Sequence, residues 1–174
     1  FNAPITMTNS DYRFIVSEQL QSAGIDPAAI FIEPEARNTA PAALAAAIFA
    51  MKHDADATIL LAPSDHIIPD NSKFHQAIRE GLKETSRGFI VSFGIIPTRP
   101  ETGYGYLKVN QATKNASMVV EKFIEKPQIE SAKSFLRSGS YLWNAGIFLF
   151  RARDIIEAFK VHAPNIFAFV NESV

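Results

Sequence analysis

The sequence contains no cysteine, which excludes disulfides and cysteine-ligated zinc and fits a reducing, cytoplasmic setting. It carries no surplus charge of either sign: 17 Lys and Arg stand against 18 Asp and Glu, a formal net charge of -1. Nucleic acids are held by clustered excess cations, so no nucleic acid is expected as a partner. No apolar run approaches the roughly 18 residues that cross a bilayer, so no membrane partner is expected. Phe1-Asn2-Ala3-Pro4 has no basic segment leading into an apolar one, as a signal peptide would. A dinucleotide fingerprint is also missing. Lys108 stands where the third glycine after Gly103 and Gly105 belongs, and no helix follows, which disfavours a dehydrogenase. There is no initiator Met, and Glu172-Ser173-Val174 ends within a helix-like pattern. Both ends are therefore expected to be cut and the chain to be a fragment.

What is present is a chain of 174 residues, 47% hydrophobic, enough for one domain with a sizeable core at the usual roughly 100–200 residues. Residues 11–23 place Phe14, Ile15 and Leu20 at helical spacing, with Gly24 as the stop. Ile30-Phe31-Ile32 reads as a short strand. Residues 41–52 form an alanine-rich helix expected to be largely buried. Residues 57–62 are continuously apolar, which predicts a central parallel strand covered on both faces. A helix is predicted over 71–87, with Phe74, Ile78 and Leu82 on one stripe, and a further buried strand over 89–95. Residues 103–111 and 117–126 read as paired strands. They are followed by a helix at 129–137, a strand at 141–150 and a helix at 154–160. The alternation predicts an α/β fold, layered around a mainly parallel central sheet, as one domain over 1–174.

Ligands of open α/β sheets bind beyond the carboxyl ends of strands. Several polar segments stand at such places. In Glu33-Pro34-Glu35-Ala36-Arg37-Asn38-Thr39-Ala40-Pro41, Asn38 or Thr39 caps the alanine-rich helix, or the helix end and Arg37 receive a phosphate. In Pro63-Ser64-Asp65-His66, Asp65 is either a Mg²⁺ ligand facing phosphate oxygens or a turn residue bonded to its own backbone. His66 has no second histidine at metal spacing and reads as a positioned histidine. In Pro100-Glu101-Thr102-Gly103-Tyr104-Gly105-Tyr106, the glycines allow close backbone approach to a ligand and the tyrosines offer ring faces to a sugar. The alternative is a bulged hairpin start with core tyrosines. Glu125 and Lys126 are expected to point to opposite faces and so not to pair. Lys126 suits a sugar phosphate and Glu125 sugar hydroxyls, with plain strand-end charges as the alternative. Asn144, in Trp143-Asn144-Ala145-Gly146, is a polar intrusion in an apolar stretch that calls for a defined partner, ligand or backbone.

Taken in order, these segments resemble the bacterial mannose-1-phosphate guanylyltransferases of the sugar-nucleotidyltransferase superfamily. The resemblance rests on Thr8-Asn9-Ser10-Asp11-Tyr12-Arg13-Phe14, Glu33-Pro34 with Arg37-Asn38-Thr39-Ala40-Pro41-Ala42, Pro63-Ser64-Asp65-His66, Pro100 to Tyr106, Phe123-Ile124-Glu125-Lys126-Pro127 and Trp143-Asn144-Ala145-Gly146-Ile147-Phe148. It implies a three-layer Rossmann-like fold and a Mg²⁺-dependent transfer of a guanylyl group from GTP to mannose 1-phosphate, giving GDP-mannose and pyrophosphate. It also implies site roles. Asp65 holds the metal, and Glu33, Arg37, Asn38 and Thr39 bind the nucleotide. Gly103, Tyr104, Glu125, Lys126 and Asn144 bind the sugar phosphate, so that Asp65 and Lys126 are the catalytic pair. Two departures stand out: Ala36 replaces a frequent glycine, and the glycine-rich N-terminal signature and a second metal-binding Asp are absent. The 174 residues alone are therefore expected to be feebly active, and an exposed sheet edge is expected to favour a homo-oligomer. The rival expectations are a relative using another nucleotide or sugar and a silent subunit that binds sugar nucleotides to regulate a partner.

Overall fold

A computed structural model of the chain describes residues 1–35, 38–110 and 117–174. The chain packs as two compact units, Phe1–Ala55 with Ile156–Val174, and Asp56–Ile155.

In the first unit, β1 (Ile5–Asn9) and β2 (Ala29–Glu33) run parallel, with Ile5 opposite Ala29 and Asn9 opposite Glu33. The crossover between them is α1 (Arg13–Ser22), after which Gly24 takes φ 67°, a left-handed conformation that ends a helix cheaply only at glycine. The helix α2 (Thr39–His53) buries Ala43, Leu44, Ala45, Ala46, Ala47 and Ile48. Small side chains with high helix propensity let this helix be covered nearly all round. Phe49 on α2 meets Phe31 on β2 edge-on, with ring centroids 5.5 Å apart.

The second unit is built from β3 (Thr58–Leu61), α3 (Asn71–Thr85), β4 (Val91–Ile95), β5 (Tyr106–Val109), β6 (Val120–Ile124), α4 (Ile129–Ser138) and β7 (Tyr141–Arg151). Helix α5 (Ala152–His162) leads back into the first unit, to which α6 (Pro164–Ser173) belongs and where it packs against α2. The α/β alternation is as expected, but the strands are partly parallel and partly antiparallel rather than mainly parallel. Every pairing in the second unit is antiparallel. The reason is that β7 comes last and takes the centre. It runs against β3, β4 and β5 alike. The continuous apolar run at 57–62 is therefore not a central parallel strand. Among the described residues β3 has one strand partner, and none of its residues is fully buried. The β4 segment is likewise less covered than its apolarity predicts, since Phe89, Ile90 and Ile95 are exposed. On α3 the inward positions are Ile78, Gly81 and Thr85, while Leu82 of the predicted stripe faces outward.

Along β7, Trp143, Ala145, Ile147 and Leu149 are buried on one face, the period-two pattern of a strand. Helix α3 meets Leu149, where a Cβ on Gly81 would lie 3.0 Å from Leu149 Cδ2, and helix α4 covers the Trp143 end of β7. Tyr106, Ala132 and Trp143 form a buried cluster there with Phe135 and Tyr141 packed around it. Asn144 points to the other face, and the chemistry gathers on that side.

Candidate functional site

The site is organised by a break in β7. Two steps along β4, from Ser92 to Gly94, correspond to four along β7, from Phe148 back to Asn144. The surplus residues form a bulge, and Gly146 sits in it at φ 69°, where an L side chain would be strained. Phe148 and Leu149 pair with both β3 and β4, and Trp143 pairs with both β4 and β5. Hence β3 and β5 lie end to end on the same side of β7, with the bulge facing the gap between them. The chain leaves β3 into Pro63-Ser64-Asp65 at this gap: a Cβ placed on Gly146 would lie 3.5 Å from the Pro63 ring. The chain enters β5 through Glu101 to Gly105 at the same place, where the Asn144 N–H donates to the Gly105 carbonyl at 2.8 Å.

Two of the expected sugar-phosphate residues, Asn144 and Glu125, line up across this end of the sheet with Gly105 between them. Asn144 on β7 bonds to Gly105 ahead of β5, and Gly105 in turn lies against Glu125 at the exit of β6. A Cβ on Gly105 would stand 3.0 Å from Glu125 Oε2 and 3.0 Å from Phe123 Cζ. The missing side chain lets the Glu125 carboxylate approach the backbone, a use of glycine that needs no positive φ. Asn144 is held by Ser92 Oγ–H and the Gly146 N–H, both donating to its Oδ1 at 2.9 and 3.2 Å.

Lys126 has φ 40°, one of two non-glycine residues with positive φ among the described residues. Such a conformation costs on the order of 1–3 kcal/mol and concentrates at functional positions. It also corrects an expectation. Glu125 and Lys126 were expected to diverge by strand alternation, yet Lys126 Nζ stands 3.7 Å from Glu125 Oε1. The strand ends at Ile124, and the left-handed turn at Lys126 swings its side chain back to its neighbour. Both side chains remain mostly exposed, so the contact adds little stability.

Asp65 lies in the turn after β3 with its side chain 85% exposed. Among the described residues its carboxylate accepts no hydrogen bond, and the His66 imidazole Nε2 stands 4.0 Å from its Oδ1. The turn-residue alternative, in which the carboxylate is consumed by its own backbone, is not what the structure shows. No cluster of three metal-binding side chains occurs among the described residues. A single exposed carboxylate at a strand exit can contribute one ligand to a divalent cation whose remaining shell comes from phosphate oxygens and water.

The Pro100–Tyr106 segment is more tightly built than its sequence reveals. Glu101 Oε1 accepts the Thr102 and Gly103 N–H groups at 3.0 and 3.1 Å, and its Oε2 pairs with Arg99 at 3.2 Å. The Gly103 N–H, followed by the Arg99 and Thr102 bonds, holds the Glu101 carboxyl below the ordinary glutamate range against some desolvation. The buried Tyr106 hydroxyl donates to the Glu101 carbonyl at 2.9 Å and accepts its N–H at 3.0 Å. Gly103 therefore spends its N–H inside the loop. The Tyr104 ring packs edge-on against Trp143 at 5.4 Å, on the side of the α4 cluster and away from Asn144. The structure thus brings together Asn144, Gly105 and Glu125, with Lys126 beside Glu125, and it does not add the Tyr104 ring to them. Ser92 and Glu101 are the residues that sequence reasoning passed over as functional, whereas Gly105 makes the close approach expected of its glycine, to a carboxylate of the chain itself. The signal available for Ser92 was a lone hydroxyl within the apolar run at 89–95.

In the first unit, Glu33 closes β2 and Thr39 opens α2. Asn38 occupies the N-cap position at φ 59° without a side-chain capping bond, so Asn38 does not cap the helix through its side chain. Arg37, with Ala36, lies outside the described residues.

Comparison with known proteins gives this arrangement a lineage. The chain is 44% identical over 165 residues to Xanthan biosynthesis protein XanB of Xanthomonas campestris pv. campestris (strain B100), covering 95% of this chain and 35% of that protein. It is 39% identical over 170 residues to the mannose-1-phosphate guanylyltransferase of Escherichia coli (strain K12), covering 94% of this chain and 36% of that one. The crystal structure of mannose-1-phosphate geranyltransferase from Thermus thermophilus superposes with a TM-score of 0.84 at 30% identity, over 97% of this chain and 48% of that one. The chain thus spans about a third of the length of the curated relatives it matches. No helix among the described residues is long and apolar enough to cross a membrane. The Nucleotidyl transferase family matches from residue 1 to residue 174, through both units, and to that family the chain belongs.

Proposed function

We propose that this chain carries part of the machinery that transfers a guanylyl group from GTP to mannose 1-phosphate, and that both units belong to one nucleotidyltransferase domain. In this reaction a phosphate oxygen of mannose 1-phosphate attacks the α-phosphorus of GTP. The new P–O bond makes GDP-mannose, and the bond from the α-phosphorus to the bridging oxygen breaks, so that pyrophosphate leaves with the electron pair. Such transfer needs positioning and charge neutralisation more than covalent participation by the protein.

The observation that carries the proposal is the alignment of Asn144, Gly105 and Glu125 across the sheet end, at the gap where the Asp65 turn leaves β3. A carboxylate and an amide facing a glycine-lined surface suit a polyhydroxylated ring, and the adjacent Lys126 ammonium suits its phosphate as a point charge. Glu33, Arg37, Asn38 and Thr39 are assigned to the guanine nucleotide, and the Gly103 and Tyr104 backbone to the sugar side. Mg²⁺ fits at Asp65, where it would neutralise charge on the phosphate oxygens of the nucleotide. Several relatives are named mannose-1-phosphate guanylyltransferase at 39–44% identity, which favours this nucleotide and sugar over others.

The test is pyrophosphate release by the full-length protein containing this segment, with GTP, UTP, dTTP or ATP each offered against mannose 1-phosphate and glucose 1-phosphate. GTP with mannose 1-phosphate is expected to give the highest kcat/KM. A preference for any other pair would overturn the assignment of substrate. The 174 residues alone are expected to turn over only feebly.

A further inference from the structure

We infer that Ser92 is a positioning residue which, together with the bulge at Gly146, turns Asn144 so that its amide presents N–H donors to the ligand. The inference rests on the proposed function of the site and specifies its polarity. An asparagine side chain can in general be placed either way round, because its oxygen and nitrogen look alike. Here the backbone decides. The Gly146 N–H lies 3.2 Å from the Asn144 side chain, and a backbone N–H can only donate, so the atom it meets must be the carbonyl oxygen. Ser92 Oγ approaches the same oxygen at 2.9 Å and must therefore donate as well. With Oδ1 taken twice, the Nδ2 group is left with both its protons. Among the described residues it has no partner, and the deeply buried side-chain polar atom without one is Trp143 Nε1 instead. Nδ2 is thus open to a ligand.

This arrangement depends on the fold. Ser92 sits on β4 opposite Phe148, and only the surplus of β7 between Asn144 and Phe148 shortens the path from the serine to the asparagine. Gly146 supplies the positive φ that turns its N–H back to Asn144. Across Gly105 stands Glu125, which when ionised is an acceptor only. A site with an amide donor on one side and a carboxylate acceptor on the other recognises a hydroxyl that accepts from the first and donates to the second. A sugar ring offers that group, and an apolar or purely anionic ligand does not.

Three variants of the full-length protein test this, by calorimetric binding of mannose 1-phosphate and by its KM and kcat. Ser92→Ala is expected to weaken sugar-phosphate binding about ten-fold, leaving the KM for GTP unchanged, and Ser92→Thr to restore it by keeping the hydroxyl. Asn144→Asp keeps the acceptor for Ser92 and Gly146 but replaces the donor with a second anionic oxygen. It is expected to retain the fold, followed by circular dichroism, and to lose binding by about a hundred-fold. Should Ser92→Ala not fold, Asn144→Asp decides alone. Binding that survives Asn144→Asp, or a loss in Ser92→Ala that Thr does not rescue, overturns the inference. A wild-type protein that binds no sugar 1-phosphate would overturn the proposed function itself.

Discussion

Gly105→Ala separates the chemistry of the site from the stability of the fold. The added Cβ would lie 3.0 Å from Glu125 Oε2, 3.0 Å from Phe123 Cζ and 3.4 Å from Phe123 Cε1, so these neighbours must yield by a few tenths of an ångström. Both can do so cheaply: the Phe123 residue is 48% exposed and the Glu125 side chain 60% exposed, and both swing toward solvent. The cost in folding is therefore expected at under about 1 kcal/mol, the low end for overpacking. Function responds differently, because the carboxylate that moves is the one assigned to the sugar. A misplacement of about 1 Å at a reacting centre costs on the order of a hundred-fold, so roughly half of that displacement is expected to cost about ten-fold in kcat/KM. The assay is steady-state turnover of full-length protein with mannose 1-phosphate varied, beside urea unfolding of the same samples. A double-mutant cycle with Glu125→Ala sharpens it: once the carboxylate is gone, Gly105→Ala should add almost no further loss. Full additivity of the two, or an unfolding loss well above 1 kcal/mol with unchanged kcat/KM, would refute the reasoning.

Three further expectations follow from the same geometry. Gly94→Ala places a Cβ 2.6 Å from Leu142 Cδ1 and 3.0 Å from Leu142 Cβ, so urea unfolding should show a loss of about 1–3 kcal/mol. Lys126→Gly relieves the backbone at φ 40° and should leave stability unchanged or raised by about 1 kcal/mol, while kcat falls sharply in the turnover assay because the ammonium is gone. Glu101 is depressed chiefly by the Gly103 N–H. Its contribution to loop order is therefore complete above the ordinary glutamate pKa and lost as pH falls through its lowered value. Hydrogen exchange of the Thr102 and Gly103 amides should report that acid transition, and Glu101→Gln should remove it.

The local elements were legible because each rests on a nearest-neighbour pattern. The alanine-rich stretch became α2, and the apolar spacing of 129–137 became α4. The paired strands around the 111–116 segment became β5 and β6. What sequence patterning did not give was direction. Continuous apolarity at 57–62 reports coverage, which an antiparallel neighbour such as β7 supplies as well as a parallel one. At the site, Glu125, Lys126, Asn144 and Asp65 were legible as polar residues at strand ends. Ser92 was not, since its role depends on a bulge two residues deep in another strand. The turning of Tyr104 toward Trp143 was equally hidden, because the loop is folded by Glu101 and the Tyr106 hydroxyl rather than by its glycines alone.

The most direct test is a crystal structure of the full-length protein with mannose 1-phosphate bound. The sugar is expected at the β7 break, with a ring hydroxyl between Asn144 Nδ2 and the Glu125 carboxylate and the phosphate toward Lys126. A sugar phosphate seated elsewhere, with Asn144 and Glu125 untouched, would contradict the account at its root.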